Sequence, residues 1–347
     1  MTVYCGVDFH ARVQTVCYCN LTEGEIYTRE LHHQRDDIRD FYAQFTGQQV
    51  IIGLEASGFS LWFEELVEEL GYQVWLGDST EIRRRARRRQ KNDRRDAELI
   101  LGLLMREEFP RVHRPSVQSR EVLRQLRYRQ RLVKLRTMIK NSLQALSLNA
   151  GLSLRSKLTT RKGREQLLAA TLSPSLSYQR GDWLSLLDEL DQRIKQTEKR
   201  LEQQARGDVR VQRLRTHPGI GLLTSLGLVH TLEPITRFSN SRKVVAYAGL
   251  DPMERSSAER QRFLGISKSG SSLLRFLLIE AANVAVRSEA ELKRFYRQIA
   301  HRRGIAKAKV AVARKLLVRA YILLRDEIDY AEFLRRGVEA GLAREGS

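Results

Sequence analysis

Charge is divided so unevenly along this chain that a single uniform body is excluded. Residues 1 to 82 hold four Arg, no Lys and 14 Asp or Glu, a net −10, while the remaining 265 residues hold 57 basic and 27 acidic side chains, a net +30. Self-repulsion on that scale calls for a polyanionic partner, and nucleic acid is the first to consider. With 347 residues the chain is long enough for two or three domains, each burying its own core. Hydrophobic residues make up 42% and are spread along the length, which excludes a disordered basic tail. The division reads as an acidic, metal-holding module joined to a nucleic-acid grip.

No stretch approaches the roughly 20 apolar residues of a membrane span, and no basic start leads into an apolar run. The expectation is a cytoplasmic protein with no membrane partner. Cys5, Cys17 and Cys19 all fall in the first 20 residues. They read as buried thiols on neighbouring strands; a zinc site would want a fourth ligand such as His10, at a spacing that matches no usual zinc motif.

Residues 2–8, 13–19 and 26–31 read as three strands joined by tight links, an antiparallel meander. A helix over 35–46, a strand over 49–55, a helix over 60–70 and a strand over 72–76 follow. The order βββαβαβ predicts an α/β layer fold with a mixed sheet. From residue 83 the character changes: RRRARRRQKNDRR at 83–95 holds nine basic residues and one Asp. The run contains Arg83, Arg84, Arg85, Arg87, Arg88, Arg89, Lys91 and Arg94. A helical run DAELILGLLM follows, and Pro110 and Pro115 stop it.

Over 118–148 the apolar positions Leu123, Leu126, Leu132, Leu135, Ile139, Leu143 and Leu146 recur at mostly three- and four-residue steps. Basic residues between them, including Arg124, Arg127 and Arg131, outweigh the acids, which favours phosphate contact. A second helix over 183–205 carries Leu187, Leu190, Ile194, Thr197 and Leu201 at coiled-coil spacing. The two helices pair either as a hairpin or across chains. Beyond residue 208 the pattern is a compact helical domain, with helices at 271–287, 289–301 and 305–326.

Four acids form the chemical constellation. Asp8 ends the first strand, Glu55 ends the fourth, and Asp93 and Asp96 open a helix three residues apart, on one face. If the first and fourth strands are neighbours and that helix crosses their edge, four oxygen donors meet. Such a set suits two Mg²⁺ ions, and phosphodiester cleavage uses two ions about 3.5 to 4 Å apart to activate a nucleophile and stabilise the leaving oxygen. Taken singly, each acid is accounted for as a strand-end residue, a helix cap or a first-turn acid.

HPGIG at 217–221 resembles a helix-hairpin-helix turn, in which Gly219 and Gly221 would let backbone N–H groups approach phosphate. Downstream, AYAGLDPMERSSAERQRFLGISKSGSSLLR at 246–275 is Gly- and Ser-rich, cationic and loop-like. It carries Ser256, Ser257, Arg260, Arg262, Lys268 and Arg275. Serine pairs in loops are ordinarily turn formers.

GVDFH at 6–10, GLEASG at 53–58, KNDRRDAELI at 91–100, HPGIG, then AGLDP, SSA and GISKSG together resemble the DEDD transposases of the IS110 family, relatives of the Piv invertase. The resemblance covers nearly the whole chain in order. It implies a RuvC-like (ribonuclease H fold) catalytic domain over 1–115, an Arg-rich coiled-coil insertion over 116–207 and a mostly helical C-terminal transposase domain over 208–347. The family's acids fall on Asp8, Glu55, Asp93 and Asp96, and its serine on Ser257. Family members carry glycine after the serine; here Ala258 follows Ser257, so Ser256 stays open as the alternative.

The resemblance further implies a Mg²⁺-dependent recombinase whose serine forms a covalent phosphoserine with DNA. A structured guide RNA, the bridge RNA, would pair with donor and target DNA, which suits a protein rich in phosphate contacts. Because Ser257 and the acids fall in different domains, the working site is expected between protomers of a dimer or tetramer. Three rivals compete: a RuvC-like junction nuclease using water, an actin-like sugar kinase, and an architectural RNA-binding protein with dispensable acids. The kinase lacks support, because no Gly-rich phosphate loop is evident.

Overall fold

The structure, a computed structural model, describes residues 2–345 except 23, 59, 87–91, 155–157, 159 and 258–259, and the backbone alone at 35, 254–264 and 338–345. Contacts separate the chain into two compact units, Met1–Arg114 and Pro115–Ser347.

In the first unit β1 (Thr2–Phe9), β2 (Val13–Asn20) and β3 (Ile26–His32) form an antiparallel meander. After α1 (Arg35–Ala43), strand β4 (Gln49–Glu55) joins parallel to β1. After α2 (Leu61–Glu69), β5 (Gln73–Gly77) joins parallel to β4, and the sheet order is β3-β2-β1-β4-β5. Two more helices follow, α3 (Ser79–Arg84) and α4 (Asp93–Met105).

Period-two alternation divides each central strand between two cores. Val3, Cys5, Val7, Ile52 and Leu54 pack with Ile38 and Tyr42 of α1 and with Phe63 and Leu66 of α2. On the opposite face Ile51 packs with Ile100 and Leu104 of α4, and Cys17 and Cys19 with Ala97 and Leu101. Coverage on both faces explains why β1 and β4 read as near-continuous apolar runs. All three cysteines are buried thiols outside any disulfide.

The second unit is mostly helical. It comprises α5 (Val117–Asn149), α6 (Arg161–Ala169), α7 (Pro174–Ala205), α8 (Val209–Arg215), α9 (Leu222–Leu232) and α10 (Ser241–Tyr247). A hairpin of β6 (Pro252–Ser257) and β7 (Arg260–Ile266) precedes α11 (Ser272–Ser288), α12 (Ala290–Arg303), α13 (Ile305–Arg325) and α14 (Tyr330–Glu345). Helix α7 begins nine residues before the expected start. Ser173 caps it, accepting from the Leu176 amide, and Pro174 supplies the pre-set first turn.

Helices α5 and α7 pair as an antiparallel hairpin within the chain. Leu132, Ile139, Leu143 and Leu146 meet Leu187, Leu190 and Ile194. Arg129 pairs with Glu198 at 2.6 Å and Arg136 with Asp191 at 3.0 Å, seven residues along one helix matching seven back along the other. Leu135, expected on the seam, is 47% exposed; two three-residue steps from Leu132 through Leu135 to Met138 rotate it off the buried stripe. At their other ends Leu123, Leu126, Leu201 and Ala205 enter the core built by α8 to α13, so α5 and α7 serve both clusters.

The segment over 246–275, read from sequence as loop-like, contains the β6–β7 hairpin, with Arg255 opposite Arg262. A strand ladder is made by backbone groups, so a Ser- and Arg-rich composition does not prevent it. No helix among the described residues is long and apolar enough to cross a membrane.

Candidate metal centre

Asp8 and Glu55 occupy corresponding ends of two parallel neighbours. Pairing of Gly6 with Gly53 and of Val7 with Leu54 brings both acids to the same edge, on strands about 4.8 Å apart. Each acid follows a glycine by two residues, so glycine and acid share a face, and that face lies under α4. A Cβ on Gly6 would stand 2.4 Å from both the Ala97 carbonyl oxygen and the Leu101 nitrogen; one on Gly53 would stand 2.8 Å from a Leu104 methyl. The missing side chains let α4 rest directly on the sheet.

The first turn of α4 carries Asp93 and Asp96. Asn92, not Asp93, takes the capping role, its side chain accepting from the Arg94 amide at 3.1 Å. Asp93 is thereby left to face the strand end. His10 Nε2 lies 3.1 Å from Asp8 Oδ2 and 3.6 Å from Asp93 Oδ2. One donor atom from each of Asp8, His10 and Asp93 falls within 4.8 Å of the others, a separation that one small cation can span.

Burial pushes the Asp8 carboxyl above the usual carboxylate range; His10 opposes this, and the charges of Asp96 and Asp93 add to it. Three acids are thus electrostatically coupled at one place. Glu55 stands one strand over, with Arg83 3.8 Å from its carboxylate. Carboxylates with one imidazole suit a hard or borderline divalent cation, so the donor chemistry fits a Mg²⁺ or Mn²⁺ ion. The sequence offers His10 only as the fourth ligand that a cysteine zinc site would want, not as a partner of the acids, because one histidine in a strand-end turn has no periodic signature. Its spacing from Asp8, two residues beyond the end of an apolar strand, was the available signal.

In the second unit Ser256 and Ser257 are the last two residues of β6, paired with Gln261 and Arg260 of β7. Their side chains, like those of Arg260 and Arg262, lie outside the described residues.

Comparison with known proteins matches residues 5–148 to a family described as transposase, the DEDD transposases of IS110 type, and residues 211–297 to the transposase IS116/IS110/IS902 family. A probable family 20 transposase of Pseudomonas aeruginosa is 30% identical over 339 residues, covering 94% of this chain and 97% of the relative. The chain belongs to the IS110 family of DEDD transposases. The transposase for insertion sequence element IS1111A of Coxiella burnetii is 31% identical over 233 residues, 65% of this chain and 64% of that one. The transposase for insertion sequence element IS1328 of Yersinia enterocolitica is 28% identical over 274 residues, 77% and 79% of the two chains.

Several cations of this IS110-family transposase that the sequence marked for nucleic acid hold protein partners. Arg84 pairs with Glu81 at 2.5 Å, Arg94 with Glu98 at 2.8 Å, and Arg85 donates to the Glu108 carbonyl. Arg87, Arg88, Arg89 and Lys91 lie outside the described residues. On α5, Arg129 and Arg136 face α7, whereas Arg124, Arg127 and Arg131 share another face at steps of three and four and are exposed. Arg124 pairs with Glu121 at 2.7 Å.

In the HPGIG turn of this transposase, a Cβ on Gly219 would collide with Ala285 and the Ala281 carbonyl of α11, and φ there is +93°, so packing explains that glycine. Gly221, at the start of α9, has open space beside it. Arg275 donates to the carbonyls of Ala248, Ser269 and Gly270 at 2.6 to 3.3 Å, clamping the AGLDP turn to the SKSG turn. Lys268 projects from the clamped turn and is exposed.

Proposed function

We propose that this protein is an insertion-sequence recombinase that cuts and rejoins DNA, with Asp8, Glu55, Asp93 and Asp96 holding Mg²⁺, two ions in the full site, and Ser257 as nucleophile. The observation that carries this reading is the meeting of Asp8, His10 and Asp93 where α4 rests on two glycines. The mixed sheet, covered by helices on both faces, supports a RuvC-like, ribonuclease H fold over 1–115. The remaining chain divides, on this reading, into a helical insertion over 116–207 and a transposase domain over 208–347.

A bound divalent ion polarises a phosphoryl oxygen and stabilises the leaving oxygen. Asp8 as the carboxylate, with Asp93, Asp96 and a Glu55 released from Arg83, would supply the ligands that hold it. The Ser257 oxygen forms a bond to phosphorus as the bond from phosphorus to the departing DNA oxygen breaks. The serine proton passes to that oxygen, leaving a phosphoserine and a DNA hydroxyl. The exposed Arg124, Arg127 and Arg131 face suits the phosphates of a structured guide RNA, which would pair with donor and target DNA. Ser257 lies in the second unit and the acids in the first, which favours a site shared between protomers of a dimer or tetramer.

Denaturing electrophoresis of the full chain with labelled insertion-sequence ends and its RNA tests this. A protein–DNA adduct should form with Mg²⁺, vanish in Ser257→Ala and in Asp8→Asn, and persist in Ser256→Ala. Cleavage without an adduct would instead indicate hydrolysis by water, as in a junction nuclease.

A further inference from the structure

A second feature, outside the acid cluster, lies wholly in the C-terminal unit. Helices α12 and α13 and the base of the β6–β7 hairpin enclose a groove of about 1090 Å³. Its floor is apolar, formed by Phe295, Ile299, Val310 and Val318. Among the described residues its lining contains six basic side chains and no acidic one, in a chain that carries 41 acids. Three of the six are engaged: Arg314 donates to the Leu250 carbonyl, Arg302 to the Gln298 carbonyl, and Lys315 binds Glu291 and lies 5.1 Å from the Phe295 ring centre. Lys268, Arg303 and Lys307 are exposed and hold no ion pair among the described residues.

We propose that this groove binds single-stranded DNA. A cationic rim calls for an anion, and an apolar floor calls for an uncharged flat surface on the same ligand. Single-stranded nucleic acid offers both, phosphates on one side and unstacked bases on the other, whereas a duplex keeps its base faces hidden. The volume exceeds the usual upper range of about 1,000 Å³ for a small-molecule pocket, so the groove takes more than one nucleotide. Its wall at Pro252, Gly265 and Ile266 is the base of the hairpin whose β6 ends at Ser256–Ser257. Lys268 is held at that wall because Arg275 and the abutting Gly249 and Ser269 fix its turn. The groove therefore holds the strand next to the serine hairpin. This rests on the reading of the protein as a DNA recombinase.

Binding of the full chain to a fluorescent (dT)12 strand and to a duplex of equal length, in EDTA, tests the groove without metal or cleavage. Arg303→Glu with Lys307→Glu should weaken single-strand binding at least tenfold and duplex binding less than twofold, with an unchanged melting temperature. The dependence of log affinity on log salt should become shallower by about 1.4, two phosphate contacts at about 0.7 each. Val310→Trp, which fills the floor without altering charge, should also weaken the single strand. Equal loss for both forms, no loss, or a change of oligomeric state with single-strand affinity intact overturns the groove alone. Wild-type protein that binds neither form overturns the recombinase reading and the groove with it.

Discussion

Gly6 lies so close beneath Ala97 that a Cβ at residue 6 would stand 2.4 Å from the Ala97 carbonyl oxygen. Backbone on both sides leaves nothing that can swing away. Gly6→Ala should therefore lift α4, cost about 1–3 kcal/mol as overpacking does, and separate Asp93 and Asp96 from Asp8. Gly53→Ala meets only the Leu104 side chain and should cost less. Thermal melts with and without Mg²⁺ check the pair: the ion should raise the melting temperature of Gly53→Ala but not of Gly6→Ala.

Asp8→Asn should stabilise the metal-free protein. Burial raises the folded pKa of Asp8 above its unfolded value, so ionising it favours unfolding, and this destabilisation develops as pH rises through the folded pKa. At neutral pH the variant should melt higher than wild type without divalent ion and gain nothing when the ion is added.

His10→Ala distinguishes a nitrogen donor from a bystander. An imidazole ligand favours Mn²⁺ over Mg²⁺, so removing it should weaken Mn²⁺ binding about tenfold and Mg²⁺ binding much less. Calorimetric titration of both ions into the variant and the wild type reads this; equal losses would exclude His10 from the ligand set.

The two faces of α5 should separate stability from RNA binding. Arg127→Glu with Arg131→Glu should weaken RNA binding at least tenfold and leave folding unchanged. Arg129→Ala, which removes a half-buried pair with Glu198, should lower stability by about 1 kcal/mol and leave RNA binding near wild type. Filter binding and chemical denaturation give the two readouts.

Acid should destabilise the second unit. Burial lowers the pKa of His217, whose Nδ1 is 2.7 Å from the Pro218 carbonyl, and of His230, whose Nδ1 is 2.6 Å from the Ser119 hydroxyl. The unfolded chain then binds protons that the fold refuses, so stability is full above the ordinary histidine value and falls as pH drops below about 6.5. The limiting slope is about 1.4 kcal/mol per pH unit for each histidine. Denaturant midpoints from pH 7.5 to 5.0 should fall, and less steeply in His230→Gln.

Elements with long or repeated apolar patterns were legible in advance: β1, β4, α5 and α11 to α13 fall within about two residues of where their periodicity puts them. Helices α3 and α6 were not, because they are short and largely polar; α6 buries only Gly163 and Leu167 along nine residues. The serine hairpin was missed because neither its composition nor its alternation marks a buried face.

The amino-acid order alone determined the family, the division between an acidic and a basic part, and the placing of Asp8 and Glu55 at strand ends, since these follow from local patterns and charge. Tertiary structure alone decided that Asn92 displaces Asp93 as the cap, that His10 joins the acids, and that Arg129, Arg136 and Arg275 are held by protein groups. Each of these outcomes is a competition for one hydrogen-bonding or charged partner among residues brought together by folding. The spacing of residues along the chain does not record who wins it.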